Sequence, residues 1–145
     1  GSRVRRTRWR VARLLPMIPR VLQPEELRNY WPEIEYGLKE VLRKTPTARW
    51  IPEDVYAAIL YKKAVCVMGM VNEDLHGFFV GKPHENGIFV WAVYSEGNLD
   101  EGVQHLVNYA KATNCKHISF QTDRKGWNKV AKKYGFQPNV WRMEI

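Results

Sequence analysis

The chain has 145 residues, 45% of them hydrophobic and 26% charged, which predicts one hydrophobic core and excludes a disordered or low-complexity scaffold. No apolar run reaches the roughly 18 to 20 residues of a membrane helix. Cys66 and Cys115 stand far apart without CxxC or HxxxH spacing, so no disulfide framework or metal site is signalled, and a reducing, cytoplasmic setting is expected.

The formal net charge is +8, but its distribution argues against a nucleic-acid-binding body. Arg3, Arg5, Arg6, Arg8, Arg10 and Arg13 supply six of the 23 basic residues with no acid among them. The other 17 face 15 acids, so the body carries only about +2. Residues 1–16 read either as a native basic arm or as sequence upstream of a start at Met17, the pair Gly1-Ser2 resembling what protease removal of a tag leaves. A native arm would hold phosphates through its arginines, with Trp9 stacking or packing between them. A solvated arm is the blander alternative. Residues 17–145 are taken as a single domain.

From Leu27, apolar residues at 27, 30, 31, 34, 38, 41 and 42 form a helical stripe, with Pro24, Glu25 and Glu26 supplying the start signals. Pro32 either kinks this helix or marks its true first turn. Pro52, Glu53 and Asp54 open a second helix, whose inward face is Val55, Tyr56, Ile59 and Leu60. The period then changes. Runs at 64–71, 75–80 and 88–94, separated by Asn72-Glu73-Asp74 and by the turn-rich Gly81 to Gly87, predict an antiparallel three-stranded meander. Asn86-Gly87 is the hairpin signal. Next come a helix over 99–113 with Val103, Leu106, Val107 and Ala110 inward, a strand over 116–122, a short helix over 126–134 and a last strand over 140–145. Strand, helix and strand without hairpin spacing predicts a parallel pair joined to the meander, giving an α/β fold with a mixed, mostly antiparallel sheet and flanking helices.

Short stretches of text carry a family resemblance. Trp91-Ala92-Val93-Tyr94-Ser95-Glu96 resembles the end of the fourth strand of the GCN5-related N-acetyltransferases (GNAT), Asn108-Tyr109-Ala110 through His117-Ile118 their third helix entering the fifth strand, and Tyr134-Gly135-Phe136 the Gly-Phe that closes their last helix. Trp31-Pro32-Glu33, Trp50 through Val55 and Arg124-Lys125-Gly126-Trp127 resemble small GNAT-like proteins of tailed bacteriophages. The resemblance spans about residues 18–145. It implies a GNAT fold, acetyl-CoA as the acyl donor and an amine as the acceptor.

In such a site the pyrophosphate is held by backbone N–H groups of a glycine-rich turn at a helix start, where unpaired donors and the dipole converge. The matching text here is Gly97-Asn98-Leu99-Asp100-Glu101-Gly102-Val103, and it departs from the family pattern: Asn98 stands for the basic or amide residue, Leu99 and Glu101 for the glycines. Asp100 and Glu101 suit an empty helix start and would repel a phosphate. The resemblance implies coenzyme contacts at Val93, Tyr94, Asn98, Leu99, Gly102 and Val103, with Trp127 stacking on the adenine or else anchoring its helix in the core.

For catalysis the candidates are Glu96, His117 and Tyr134, with Gln121 as a weaker one. The structural alternatives are a solvated turn acid for Glu96, an edge or core histidine for His117 and, for Tyr94, a packing aromatic, while Tyr134, one residue before Gly135, would point elsewhere on its helix. Ala131 occupies the position where the family often has a general-acid tyrosine. Lys116, Arg124, Lys125, Lys129, Lys132 and Lys133 form a basic stretch that would meet a coenzyme phosphate or stay a solvated face. Two functions follow: an acyl-CoA-dependent N-acyltransferase, or an inactive GNAT-like phage module that binds a protein partner, with nucleic acid reached only through the basic arm and no membrane involved.

Overall fold

The computed structural model describes residues 17–97, 99–120, 127–136 and 141–145. Strand β1 (Ile18–Val21) leads through a 3-10 turn at Pro24–Glu26 into helix α1 (Leu27–Arg43). The turn is fixed locally: the Gln23 N–H donates to Glu26 Oε1 at 3.1 Å, and Arg20 pairs with Glu26. Pro32 lies inside α1, one turn past its start, so it neither begins nor ends the helix. Leu27, Ile34, Gly37, Leu38 and Val41 are the buried face of α1. Helix α2 (Pro52–Leu60) follows, its start secured by the Ile51 N–H donating to Asp54 Oδ2 at 3.0 Å.

The meander is β2 (Val65–Val71), β3 (Asp74–His84) and β4 (Gly87–Ser95). The sequence ends β3 too early. Lys82, Pro83 and His84 continue the strand opposite Phe89, Ile88 and Gly87, so the hairpin turn is Glu85-Asn86, with Glu85 at φ 55°. Gly87 is needed for a different reason than its turn signal: a Cβ there would lie 2.4 Å from the His117 carbonyl oxygen on the neighbouring strand.

Helix α3 (Leu99–Ala112), β5 (His117–Phe120), α4 (Trp127–Tyr134) and β6 (Trp141–Glu144) complete the chain. Residues 121, 122 and 126, expected in a strand and a helix, lie outside the described residues. The six strands form one sheet in the order β1-β2-β3-β4-β5-β6. Every pair is antiparallel except β4–β5, as the crossover through α3 requires.

Each sheet face has its own core. Ile34, Leu38, Val55 and Ile59 of α1 and α2 pack on Met68, Phe78 and Ala92. Val103, Leu106 and Ala110 of α3 and Trp127 and Ala131 of α4 pack on Phe79, Val90, Ile118 and Phe120. Cys66 belongs to the first core and Cys115 packs against the second, both free. The sheet therefore stands between the two thiols, and burial pushes the Cys66 thiol up to about 12, which leaves it inert.

Candidate functional site

The parallel ladder is short. It runs Ile88–Ile118, Phe89–Ser119 and Val90–Phe120, and β4 then continues to Ser95 with no β5 partner among the described residues. The register against β3 shifts at the same point: Val80 faces Ala92 while Gly81 faces Val90, so Trp91 is an extra residue. Trp91 and Ala92 both face the α1/α2 core, whereas Val90 and Val93 face the other. A bulge of this kind bends a strand and re-aims its side chains. The last stretch of β4, Trp91–Ser95, runs about 13 Å at ~3.3 Å per residue, and along this edge no described β5 residue is registered against it.

The far end of that edge runs into α3. The Gly97 N–H donates to Ser95 Oγ at 3.3 Å, and the Glu96 N–H donates to the His76 carbonyl at 3.0 Å. His76 is itself an inserted residue, because Gly69 faces Gly77 while Met70 faces Leu75. Its buried ring brings Nδ1 within 3.4 Å of Glu96 Oε2. Glu96 therefore follows β4 at its helix end, about 20 Å along the chain from Val90 at ~3.3 Å per residue.

His117 lies beyond the opposite end. Its ring covers Gly87, within 2.6 Å of where a Cβ would stand, and approaches the His84 ring at 6.3 Å. The structure does not bring Glu96 and His117 together, and neither is at the point where β4 leaves β5.

Tyr134 stands against the start of α3. Its hydroxyl is 2.7 Å from Asp100 Oδ1 and 3.0 Å from Gln104 Oε1, and Lys133 Nζ donates to Asp100 Oδ2 at 2.6 Å. The single hydroxyl proton goes to the carboxylate, the stronger acceptor. Burial and then Asp100 push the Tyr134 hydroxyl up to about 12. Lys133 and then Tyr134 hold the Asp100 carboxyl below its ordinary value. The repulsion expected from Asp100 at the start of α3 is thereby offset by a lysine of α4, which no sequence spacing discloses.

At its other end, α4 is anchored by Trp127, stacked on Phe120 at 4.7 Å and set edge-on to Phe136 at 5.2 Å. Trp127 is 2% exposed and so takes the core role, with no face open to an adenine. Gly135 at φ 80° ends α4, and the Phe136 N–H returns to the Ala131 carbonyl at 2.9 Å. This left-handed cap turns Phe136 inward and is the physical content of the Gly-Phe pair. Helix α4 consequently runs from the end of the described β5, where Trp127 stacks on Phe120, to the start of α3, where Lys133 and Tyr134 meet Asp100.

The remaining expected contacts divide between the two faces. Val93 is buried against α3, since a Cβ on Gly102 would come within 2.7 Å of Val93 Cγ1. Gly102 therefore serves close helix-on-strand packing. Val103 is fully buried, and Leu99 packs against the same core. Tyr94 turns to the α1 side, 6.2 Å from Tyr36 and 5.7 Å from Phe78. Asn98 lies outside the described residues. A groove beside α3 is lined by Met17, Gly69, Gly77, Tyr94, Ser95, Gly102 and His105. Among the described residues no group of three or more His, Cys, Asp or Glu is placed to hold a metal ion, and no helix is long and apolar enough to cross a membrane.

No family model matches the chain, and no curated protein does. Solved structures do. A GNAT family acetyltransferase from Brucella melitensis in complex with acetyl-CoA aligns with a TM-score of 0.63 at 13% identity, over 89% of this chain and 88% of that one. The ribosomal-protein-S18-alanine N-acetyltransferase of Escherichia coli aligns with a TM-score of 0.62 at 8% identity, over 88% and 94%. A probable acetyltransferase aligns with a TM-score of 0.61 at 17% identity, over 85% and 91%. The chain has the GNAT fold, with the antiparallel meander and the parallel β4–β5 pair that its sequence predicts; β1, ahead of α1, is not among the strands read from the residues.

Proposed function

We propose that this protein binds an acyl-CoA beside the last stretch of β4, Trp91–Ser95, and transfers the acyl group to an amine. The observation that carries the reading is the bulge at Trp91, immediately beyond the last β4–β5 pair at Val90 and Phe120. It re-aims the stretch Trp91–Ser95, which leads into the start of α3. Extended backbone offers N–H and C=O groups to the amides of a pantetheine arm, as a strand does to an added strand. The start of α3 offers unpaired N–H groups to phosphate.

At that start the chain replaces a glycine-rich turn with Asp100 held by Lys133 and Tyr134. The fit there depends on release of this contact, with Lys133 then turning its ammonium to the phosphates. The amine nitrogen bonds to the acyl carbon, the carbon–sulfur bond breaks, and the amine proton passes to water as the thiolate leaves. Glu96 at the helix end of β4 and Tyr134 at the start of α3 stay in this reading as candidate ionisable groups, with His117 at the far end of the strand, over Gly87.

A second reading rests on the same contact. If Asp100, Lys133 and Tyr134 form a permanent brace, the protein is an inactive GNAT-fold module that binds a partner. The text resemblance to small phage proteins supports a phage origin in either case, and the two free cysteines support a reducing cytoplasm.

Titration with acetyl-CoA separates the readings. A ligand at 100 times its Kd adds about 2.7 kcal/mol of stability, so a clear rise in Tm with binding heat is expected. No heat and no shift at millimolar acetyl-CoA would overturn the acyltransferase reading and leave the binding module.

A further inference from the structure

His76 is the extra residue of the β3 bulge, where Gly69 faces Gly77 while Met70 faces Leu75. Leu75 and Phe78 belong to the α1/α2 core, and His76, two residues from Phe78, turns to the same face. Its side chain is fully buried, with Nδ1 3.4 Å from Glu96 Oε2, while the Glu96 side chain is 13% exposed. The backbone fixes the pair as well, since the Glu96 N–H donates to the His76 carbonyl at 3.0 Å. Glu96 precedes Leu99, the first residue of α3, by three positions, at most about 11 Å along an extended chain. A carboxylate so near opposes a phosphate at that helix start, and the charge of the imidazole beside it sets how strongly. A ring this deeply buried takes up a proton only with an opposite charge alongside, which Glu96 supplies.

We infer that His76 is a proton-sensing residue for acyl-CoA binding: as an imidazolium it neutralises Glu96 and admits the phosphates to the start of α3, and as a neutral ring it leaves the carboxylate to repel them. This rests on the acyltransferase reading above and adds the regulation of its phosphate end. Lys133 already offsets Asp100 there, so His76 does for Glu96 what Lys133 does for Asp100, but with a charge that depends on pH. Histidine is the side chain that ordinarily changes charge between pH 5 and 8. Affinity is therefore highest below the His76 transition and falls as pH rises through it, and phosphates that bind the neutral form draw a proton from water. The other titratable and charged groups at this end are Asp74 on β3, Glu33 and Tyr36 on α1 beside the Gly37 that lies against Phe78 and Tyr94, Tyr94 itself, and Asp100, Glu101 and His105 on α3. His105 is the second histidine of this group and lines the groove beside α3, so it is the control.

The test follows acetyl-CoA binding by calorimetry between pH 6 and pH 8.5 in the full chain and in its His76→Gln, Glu96→Gln and His105→Gln variants. Ionisation of acetyl-CoA itself is common to all four proteins and cancels in the comparison. Relative to Glu96→Gln, the parental Kd is expected to rise about fivefold over this range, the effect of one charge near a phosphate in a partly buried setting. His76→Gln runs parallel to Glu96→Gln but binds more weakly, because it keeps the carboxylate, and His105→Gln keeps the parental profile. Parallel profiles in the parent and Glu96→Gln overturn the role of His76 and leave the acyltransferase reading intact, a comparison that stands even where His76→Gln does not fold. A profile abolished by His105→Gln also overturns it, since the histidine of the groove would then be the sensor. A parent that binds no acetyl-CoA at any pH overturns both.

Discussion

The Tyr134 hydroxyl donates to Asp100 Oδ1 at 2.7 Å across 34 residues of sequence, tying the last turn of α4 to the first turn of α3. Lys133 holds the other carboxylate oxygen. Because Trp127 fixes the opposite end of α4 on Phe120, the helix is a strap secured at both ends, on β5 and on the start of α3. The anchoring is unequal. Trp127 is buried in the core, whereas Lys133 and Asp100 side chains are 60% and 40% exposed. Opening therefore starts at the Asp100 end.

Tyr134→Phe removes the hydroxyl and keeps the ring. A hydrogen bond to a charged group contributes about 1.5–3 kcal/mol when buried, and partial exposure lowers this, so a loss of about 1 kcal/mol in urea unfolding is expected. If the strap must open to admit acetyl-CoA, the same variant binds it about fivefold more tightly, the equivalent of about 1 kcal/mol. Lower stability with unchanged affinity would mean that α4 is no gate.

The strap also predicts a pH profile. The Asp100 carboxyl is held below its ordinary 3.8, first by Lys133 and then by Tyr134. Its contribution is present above that value and fades as pH falls through the lower, folded-state one. As an exposed pair it is worth about 0.2–1 kcal/mol. Tyr134 is pushed from 10.0 to about 12, so its contribution is complete below pH 10 and is lost as pH rises from 10 towards 12. Unfolding measured against pH should show both limbs. Asp100→Asn flattens the acid limb, and Tyr134→Phe flattens the alkaline one.

Two glycines separate backbone freedom from close packing. At Gly135 nothing lies within 4 Å of an added Cβ, but φ is 80°, so Gly135→Ala costs about 1–2 kcal/mol through the left-handed conformation alone. At Gly87 the added Cβ meets the His117 backbone, which cannot give way without moving β5. Gly87→Ala should cost more, about 3 kcal/mol on the scale of severe overpacking. Chemical denaturation ranks them, and a reversed order would show that β4 and β5 slide freely past each other.

Periodic features were legible in the sequence, and tertiary ones were not. The inward faces of α1 and α3 follow from residues such as Ile34 and Leu38 or Val103 and Leu106, because a helical stripe is written three and four residues apart. The C-terminal half of β3 was missed because Lys82, Pro83 and His84 carry turn chemistry, and pairing with β4 overrides that local preference. The GNAT order was visible in the element sequence. The contact between Asp100 and Tyr134 was invisible, since it depends on where α4 crosses α3. Trp127 was ambiguous for the same reason: whether an aromatic at a helix start faces a ligand or the core depends on Phe120 and Phe136.

The decisive variant combines Asp100→Asn with Glu101→Gly. Both acids lie in the first turn of α3, where a negative charge favours the empty helix and opposes a phosphate, each by about 0.3–1 kcal/mol. Asp100→Asn also takes the charge from the partner of Lys133 and Tyr134, so the strap loosens while Lys133 is freed. Glu101→Gly restores a glycine where the family has one, at a cost of about 1 kcal/mol in helix stability. The expected outcome is a lower Tm without ligand, together with acetyl-CoA binding tighter by about 1 kcal/mol or somewhat more, read by calorimetry at low and high salt. The gain should shrink at high salt, as it does for an electrostatic contribution near the surface. If parent and variant both fail to bind at millimolar acetyl-CoA, the start of α3 is a plain helix cap. The function of this fold in this chain then lies with a protein partner.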